Sequence, residues 1–201
     1  MRYAMVIDLS RCVGCGTCTV ACRAEHGTPA GVSYNKVKKY EVGRYPTAKM
    51  KFLPILCMHC QDPACLKVCP TGATYRREDG IVLIDHDKCI GCRACVVACP
   101  YESRQFLWDI RNYYPGHVST PYEVLKHKDF EKGTVVKCDF CLQRLEEGQL
   151  PACVVACPAQ ARYFGDLDDP ESEVSRLVAD YRGTPFREEL GTQPSVYYVK
   201  G

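Results

Sequence analysis

Sixteen cysteines provide most of the chemistry available to this sequence of 201 residues. One group is formed by Cys89, Cys92, Cys95 and Cys99, followed at once by Pro100. The spacing C-x2-C-x2-C-x3-C-P lets three thiolates bind one cubane iron-sulfur cluster while the fourth reaches a neighbouring cluster. Three more groups repeat this pattern with variations. The four groups use every cysteine: Cys12, Cys15, Cys18 and Cys22; Cys57, Cys60, Cys65 and Cys69; Cys89, Cys92, Cys95 and Cys99; Cys138, Cys141, Cys153 and Cys157.

The second and third groups form a unit in the order of a two-cluster ferredoxin. The segment 70–77 after the second group is rich in β-forming residues, and 81–85 leads into the third group. Between them stands the turn Glu78-Asp79-Gly80, and Asp-Gly between two β-prone runs is a strong hairpin signal. The sequence therefore predicts that a hairpin joins these two groups.

The flanks of the first and last groups repeat the flanks of this unit. Residues 7–15 match residues 84–92, and residues 157–163 match residues 69–75. We therefore expect a strand near 3–8 to pair with one near 161–167. That pairing would close a second module from the two ends of the sequence.

The predicted fold class is α+β, with two ferredoxin-like two-cluster modules, the inner one inserted in the outer one. The outer module comprises 1–24 and 137–168, and the inner module comprises 57–107. Connecting arms cover 25–56 and 108–136, and a C-terminal helix and tail cover 169–201. In this last segment Asp169 is the expected N-cap of a helix from about 170 to 181, and 195–199 is an expected short strand or extended arm.

The internal repeat also predicts which cysteines share a cluster, because the fourth cysteine of one group serves the cluster of the paired group. The predicted ligand sets are Cys12, Cys15, Cys18 and Cys157 for cluster 1; Cys57, Cys60, Cys65 and Cys99 for cluster 2; Cys89, Cys92, Cys95 and Cys69 for cluster 3; and Cys138, Cys141, Cys153 and Cys22 for cluster 4. The predicted cofactors are therefore four [4Fe-4S] clusters.

Two other uses of cysteine fit this pattern less well. Disulfides do not require four sets of four cysteines, three of them followed by proline. A structural zinc site suits the last group taken alone, since paired C-x2-C knuckles bind zinc. It does not suit the third group, which places four thiols within eleven residues and ends in Cys-Pro.

The charge pattern argues against nucleic acid as a partner. The formal net charge of +2 counts the cysteines as neutral thiols, and four oxidised clusters with their thiolates would lower it to about −6. Basic residues near the groups are expected to compensate this charge: Arg11, Arg23, Lys67, Lys88, Arg93 and Lys137. The sequence has no basic run that would indicate a nucleic-acid surface.

Other features have more than one interpretation or a weaker signal. The aromatic residues of 108–136 and just before it suit either a loop packed on the modules or a docking surface.

Each of the four predicted clusters already has four thiolates, so all five histidines are expected at the surface or behind the ligands. The first group begins within a dozen residues of Met1, so we expect no signal peptide, and no apolar stretch is long enough to span a bilayer.

The sequence has no catalytic metal set beside the cysteines and no Rossmann or P-loop glycine pattern. Clusters with four thiolate ligands leave no iron open to substrate, so the chain by itself is expected to carry single electrons and not to be an enzyme.

The motifs resemble the four-cluster electron-transfer subunit of the dimethyl sulfoxide reductase superfamily, and most closely its polysulfide, thiosulfate and arsenate reductase branch. The resemblance rests on segments 5–8, 12–15, 69–73, 99–101, 137–141, 151–153 and 164–170. It implies a catalytic partner with molybdenum or tungsten on two pterin cofactors, and a quinol-reactive membrane partner. It also implies a peripheral location through those partners, with co-export to the extracytoplasmic face. The alternative is a relay subunit of a formate dehydrogenase, formate hydrogenlyase or hydrogenase complex.

Overall fold

The computed structural model describes residues 1–200. Its helices are α1 (Thr17–His26), α2 (Ala64–Lys67), α3 (Ala94–Ala98), α4 (Pro121–Lys126), α5 (Leu142–Glu146), α6 (Ala152–Val155) and α7 (Glu173–Asp180). Its strands are β1 (Tyr3–Asp8), β2 (Lys36–Val42), β3 (Lys49–Ile55), β4 (Thr74–Arg76), β5 (Val82–Ile84), β6 (Gln105–Phe106), β7 (Val135–Val136), β8 (Arg162–Asp166), β9 (Thr184–Pro185) and β10 (Val196–Val199). This small α+β architecture agrees with the predicted class.

The largest sheet has the strand order β8-β1-β10-β9. β1 pairs antiparallel with β8, with Tyr3 opposite Asp166 and Ile7 opposite Arg162, which confirms the pairing predicted from the internal repeat. β1 also pairs in parallel with β10. Because β1 is central and covered on both faces, Ala4–Ile7 form a continuous apolar run that is fully buried.

The two faces of β1 pack against different layers. Met5 and Ile7 belong to the large core that also contains many of the cysteines. Val6 points the other way and packs with Val174 of α7 and Val199 of β10. Successive side chains of a strand alternate between faces, so one strand separates the cysteine-lined interior from the C-terminal layer.

The hairpin predicted between the second and third groups is confirmed. β4 pairs antiparallel with β5, with Tyr75 opposite Leu83. Gly80 in the turn has a φ of 84°, a conformation that costs glycine no steric penalty.

The C-terminal segment agrees with the prediction in type but not in bounds. The helix does not begin near residue 170, and Asp169 is not its N-cap. α7 begins at Glu173, and Ser172 caps it by accepting a hydrogen bond from the backbone N–H of Ser175. The Asp169 carboxylate instead accepts from the N–H of Glu171 in the preceding turn, at 2.9 Å, so the local turn competes with helix initiation.

The arms contain regular structure that the sequence patterns did not predict. Segment 25–56 carries the hairpin of β2 and β3, whose strands pair over seven residues each. Segment 108–136 carries α4, which begins with a capping box formed by Thr120 and Glu123. One of its aromatic residues packs as the loop interpretation expects, since Tyr113 donates to the Thr28 carbonyl at 3.1 Å. Trp108 is exposed, and the docking-surface interpretation stays a prediction.

Candidate iron-sulfur centres

The four cysteine groups share one local backbone pattern. In each, the third cysteine is the second residue of a helix: Cys18 in α1, Cys65 in α2, Cys95 in α3 and Cys153 in α6. The first two cysteines of each group come before that helix. They lie in a loop, except Cys141, which is the N-cap residue of α5. The residue just before the second cysteine has a positive φ in all four groups: Gly14, His59, Gly91 and Phe140, with φ of 67°, 42°, 66° and 60°. The repeat seen in the sequence is therefore also a repeat of backbone conformation.

Packing explains why two of these four positions are glycine. A Cβ on Gly14 would lie 2.1 Å from the Phe52 ring, and one on Gly91 would lie 1.9 Å from the Gly133 carbonyl oxygen. The other two positions carry rings that stack on each other, since the His59 and Phe140 centroids are 3.7 Å apart. The second and fourth groups therefore face each other through these rings.

Two of the predicted ligand sets line cavities. Cys12, Cys15, Cys18 and Cys157 line one cavity beside Ile7. Cys69, Cys89, Cys92 and Cys95 line a second cavity beside Ile84. Each cavity combines three cysteines from one group with the fourth cysteine of another, and each has one exposed cysteine, Cys15 or Cys92.

The other two predicted sets are more deeply buried. Burial, together with the negative charges of Cys57, Cys65 and Cys99, raises the pKa of Cys60 to about 12. Burial and the charges of Cys153 and Cys141 likewise raise the pKa of Cys22. Cysteines distant in sequence therefore lie close enough to repel one another as thiolates.

One deeply buried sulfur lies where these two sets approach each other. Burial raises the pKa of Cys138 far above the ordinary value, and the negative charges of Cys22, Cys141 and also Cys57 add to the shift. Cys57 belongs to the second group, so sulfurs of two different predicted clusters are neighbours here. A buried thiol of this kind releases its proton only when a metal or another positive charge replaces it.

Backbone N–H groups point at several of the sulfurs. Phe140 donates to Cys138, Thr74 to Cys69 and Ala161 to Cys157, each with a nitrogen to sulfur distance of 3.4 Å. At the exposed end, hydrogen bonds from the side chain and backbone of Thr17 lower the pKa of Cys15. Such donors stabilise the deprotonated sulfur that binds metal.

The positive charges near the sulfurs are only partly those predicted from the sequence. Lys137 is buried, as are Arg104 and Arg162, which were not predicted to compensate charge. Both arginines stand five residues after the fourth cysteine of their group, an offset that could have been read from the sequence. The other predicted compensators include the exposed residues Arg11, Lys67, Lys88 and Arg93.

The histidines agree with the prediction of a place at the surface or behind the ligands. His59, between Cys57 and Cys60, is fully buried, because its ring stacks on Phe140 and its Nδ1 accepts from the N–H of Val82 at 3.1 Å. Burial and the charges of Lys137 and Arg104 hold its pKa well below the ordinary value. His26 lies behind a predicted ligand, with Nε2 3.4 Å from the sulfur of Cys141.

The residues fit iron-sulfur clusters. Cysteine sulfurs are the ligands that such clusters use, and here they converge in apolar surroundings with N–H donors pointed at them. Arg104 adds a buried Nη2 atom with no hydrogen-bond partner among residues 1–200, at the wall of the cavity lined by Cys95. An anionic cluster is the kind of group that this unpartnered donor would suit.

Comparison with known sequences identifies the family. Residues 48–115, 111–167 and 11–73 match sequence families described as 4Fe-4S dicluster domains. The chain belongs to the 4Fe-4S dicluster proteins. This confirms the predicted cofactor type, and dicluster domains with sixteen cysteines provide for four [4Fe-4S] clusters.

Proteins similar over most of their length are named as subunits of reductases. A selenate reductase subunit of Mesobacillus selenatarsenatis is 47% identical, over 99% of this chain and 72% of the relative. The arsenate respiratory reductase iron-sulfur subunit of Shewanella sp. is 40% identical, over 100% and 97%. A tetrathionate reductase subunit of Salmonella typhimurium is 42% identical, over 98% and 72%. These relatives confirm the resemblance predicted from the motifs.

None of the helices formed by residues 1–200 is long and apolar enough to cross a membrane.

Proposed function

We propose that this dicluster protein is the electron-transfer subunit of a reductase complex, relaying single electrons through four [4Fe-4S] clusters. The observation that supports the proposal is that cysteines far apart in the sequence lie close together in one small fold: two of the predicted sets line cavities, and thiols of the other two are close enough to repel one another as thiolates. Bound clusters would supply reversible one-electron chemistry. The chain's own part is to hold them, exclude water and keep them close to one another.

The ligand sets that we propose are those predicted from the repeat. Cavity lining supports the sets of clusters 1 and 3, since each cavity contains three cysteines of one group and the fourth of its partner. Mutual repulsion among thiolates supports the sets of clusters 2 and 4.

We further propose that the inner module, 57–107, is inserted in an outer module formed by 1–24 and 137–168. Two observations support this arrangement. β1 and β8 pair although more than 150 residues separate them, and β4 and β5 pair in the inner segment at equivalent positions of the repeat. The arms, 25–56 and 108–136, and the C-terminal segment from 169 onward would pack around the two modules, with β10 beside β1 in the largest sheet.

The contacts between groups favour a linear order of the clusters, 1-4-2-3. Clusters 4 and 2 would be neighbours because the Cys138 and Cys57 sulfurs interact and the Phe140 and His59 rings stack. The two ends of the row would be the sets that contain the exposed sulfurs Cys15 and Cys92. Partners that deliver and receive electrons would then dock at opposite ends.

The kind of relative suggests those partners. The names of the similar proteins are those of reductase subunits, which favours the main interpretation over a hydrogenase relay. We propose a catalytic subunit with molybdenum or tungsten held by two pterins at one end and a quinol-reactive membrane subunit at the other. The chain would reach the membrane through these partners, by co-export to the extracytoplasmic face.

The first experiment is to measure iron and acid-labile sulfide after anaerobic purification, with electron paramagnetic resonance (EPR) spectra during reductive titration. We expect about sixteen irons and about sixteen sulfides per chain, four of each for every cluster, and spin-coupled signals. Zinc without sulfide would overturn the relay. Co-purification with a pterin-containing catalytic subunit would support the proposed complex, and co-purification with a hydrogenase subunit would contradict it.

The ligand sets have a separate test in single serine variants. Cys157→Ser should alter the same EPR signal as Cys12→Ser, whereas Cys22→Ser should alter the same signal as Cys138→Ser. If Cys157→Ser instead alters the same signal as Cys153→Ser, and Cys12→Ser alters another, then the fourth cysteine binds the cluster of its own group. The predicted exchange of fourth cysteines between paired groups would then be wrong.

A further inference from the structure

Three positively charged side chains are buried without a carboxylate partner. Arg104, Lys137 and Arg162 are 3%, 6% and 4% exposed. Among residues 1–200, no Asp or Glu oxygen lies within the 4.0 Å of an ion pair from any of the three. A buried charge is costly unless an opposite charge compensates it, so these cations need an anion from another source.

Their hydrogen bonds to oxygen go only to neutral groups. Arg104 Nη1 donates to the Thr74 hydroxyl and Arg162 Nη2 to the side-chain amide oxygen Oδ1 of Asn35, both at 3.0 Å. The Lys137 ammonium donates to the backbone carbonyls of Val82 and Cys138. These bonds hold each cation in place but do not neutralise it.

The anionic groups nearest to Arg162 are cysteine sulfurs of two predicted clusters. Its Nη1 lies 3.6 Å from the sulfur of Cys153, which belongs to the set of cluster 4. The same side chain lines the cavity of cluster 1 beside Cys18 and Cys157. Arg162 therefore stands between the two sets of the outer module.

Arg104 has the corresponding place in the inner module. It lines the cavity of cluster 3 with Cys95, and the sulfurs of Cys65 and Cys57, in the set of cluster 2, also interact with it. Lys137 precedes Cys138 of the cluster 4 set and interacts with Cys65 of the cluster 2 set. In the order 1-4-2-3, one buried cation thus stands between each pair of neighbouring sets.

We propose that three buried cations set the reduction potentials of this relay: Arg104, Lys137 and Arg162. Each acts on the two clusters beside it. This inference rests on the proposed function. An electron added to an anionic cluster increases its negative charge, so a fixed cation nearby favours the reduced form. A cation between two clusters also weakens the repulsion between them when both are reduced.

Burial decides which cations have this effect. Water and salt screen the charge of an exposed side chain, whereas a buried charge acts through a medium of lower dielectric constant. Arg11 and Lys88 each precede the first cysteine of a group but are exposed. They offer matched controls: cations next to a cluster ligand in sequence, but in contact with solvent.

The test is an EPR-monitored redox titration of the full chain, loaded with its clusters, in the variants Arg104→Gln, Lys137→Gln and Arg162→Gln. We expect each to lower the equilibrium constant for one-electron reduction of two clusters by at least tenfold, which is 59 mV for one electron. Arg104→Gln should affect clusters 2 and 3, Lys137→Gln clusters 2 and 4, and Arg162→Gln clusters 1 and 4. The serine variants described above identify the signals.

The controls separate charge from other effects. Arg104→Lys, Arg162→Lys and Lys137→Arg keep the charge and should stay close to the unmodified chain, while Arg11→Gln and Lys88→Gln should change no constant by more than about threefold. If a glutamine variant does not load its clusters, restored loading in the charge-retaining variant at the same position would support the need for charge, and failure of both would overturn it. Four loaded clusters with unchanged potentials, or equal shifts in buried and exposed variants, would refute this inference without affecting the relay. A chain without clusters would refute the relay itself.

Discussion

Gly91, between Cys89 and Cys92, offers a sharp test of how the cluster loops are packed. Its φ of 66° lies in the left-handed region, and an added Cβ would lie 1.9 Å from the carbonyl oxygen of Gly133. In Gly91→Ala the backbone conformation costs about 1–2 kcal/mol and the overlap with a backbone atom about 1–3 kcal/mol. The expected loss of stability is therefore about 2–5 kcal/mol.

Gly16 is the matched control, since its φ is 80° and nothing lies within 4 Å of the position that an added Cβ would occupy. Gly16→Ala should therefore cost only the conformational part, about 1–2 kcal/mol. The gain from a stiffer unfolded chain is the same for both variants and cancels.

The assay is thermal unfolding of the loaded chain at one scan rate, followed by cluster absorbance and circular dichroism. At about 2–4 °C per kcal/mol for a chain of this size, Gly91→Ala should melt about 2–12 °C below Gly16→Ala. Equal melting temperatures would refute the argument that the backbone contact between Gly91 and Gly133 fixes this loop.

Three further predictions concern the rest of the molecule. Phe140→Ala, which removes a ring 1% exposed, should cost about 3–5 kcal/mol in denaturant unfolding, whereas Phe140→Leu should cost less; equal losses would mean that ring size is unimportant there. Removing iron with a chelator should unfold the cysteine-lined core, because metal binding couples to folding; unchanged circular dichroism in the apo chain would contradict this. Burial alone would raise the pKa of Asp166, but hydrogen bonds from the Arg2 and Asp168 N–H groups lower it. The ionised carboxylate therefore stabilises the fold above the ordinary pKa of about 4, and this stabilisation is lost as the pH falls. The stability difference between the native chain and Asp166→Asn should therefore shrink between about pH 6 and pH 3, and a constant difference would contradict the sign.

The sequence alone determined the features that depend on local spacing and internal repetition. The four cysteine groups and the pairing of β1 with β8 follow from motifs repeated within the chain, and the hairpin of β4 and β5 follows from the Asp-Gly turn between two β-prone runs. Each such motif specifies one loop and helix turn, so its conformation recurs wherever the spacing recurs. The ligand sets and the nested modules rest on the same repeat and stay predictions.

Other features depended on neighbours far away in the chain. The start of α7 was misplaced because Asp169 and Ser172 both suit an N-cap, and the contacts of the turn decide between them. His59 was expected at the surface or behind a ligand, yet its burial depends on the Phe140 ring, 81 residues away by their numbering. A sequence window around Cys57 carries no sign of that partner.

The buried cations show most clearly what the sequence determined and what only the tertiary structure decided. Spacing places Arg104 and Arg162 five residues after a cysteine, but spacing does not say whether either side chain is buried. Only the packed core, with Thr74 beside one guanidinium and Asn35 beside the other, removes both from water. Sequence determined where the sulfurs stand along the chain, and tertiary structure decided which charges face them, because burial is a property of the whole fold and not of any one segment.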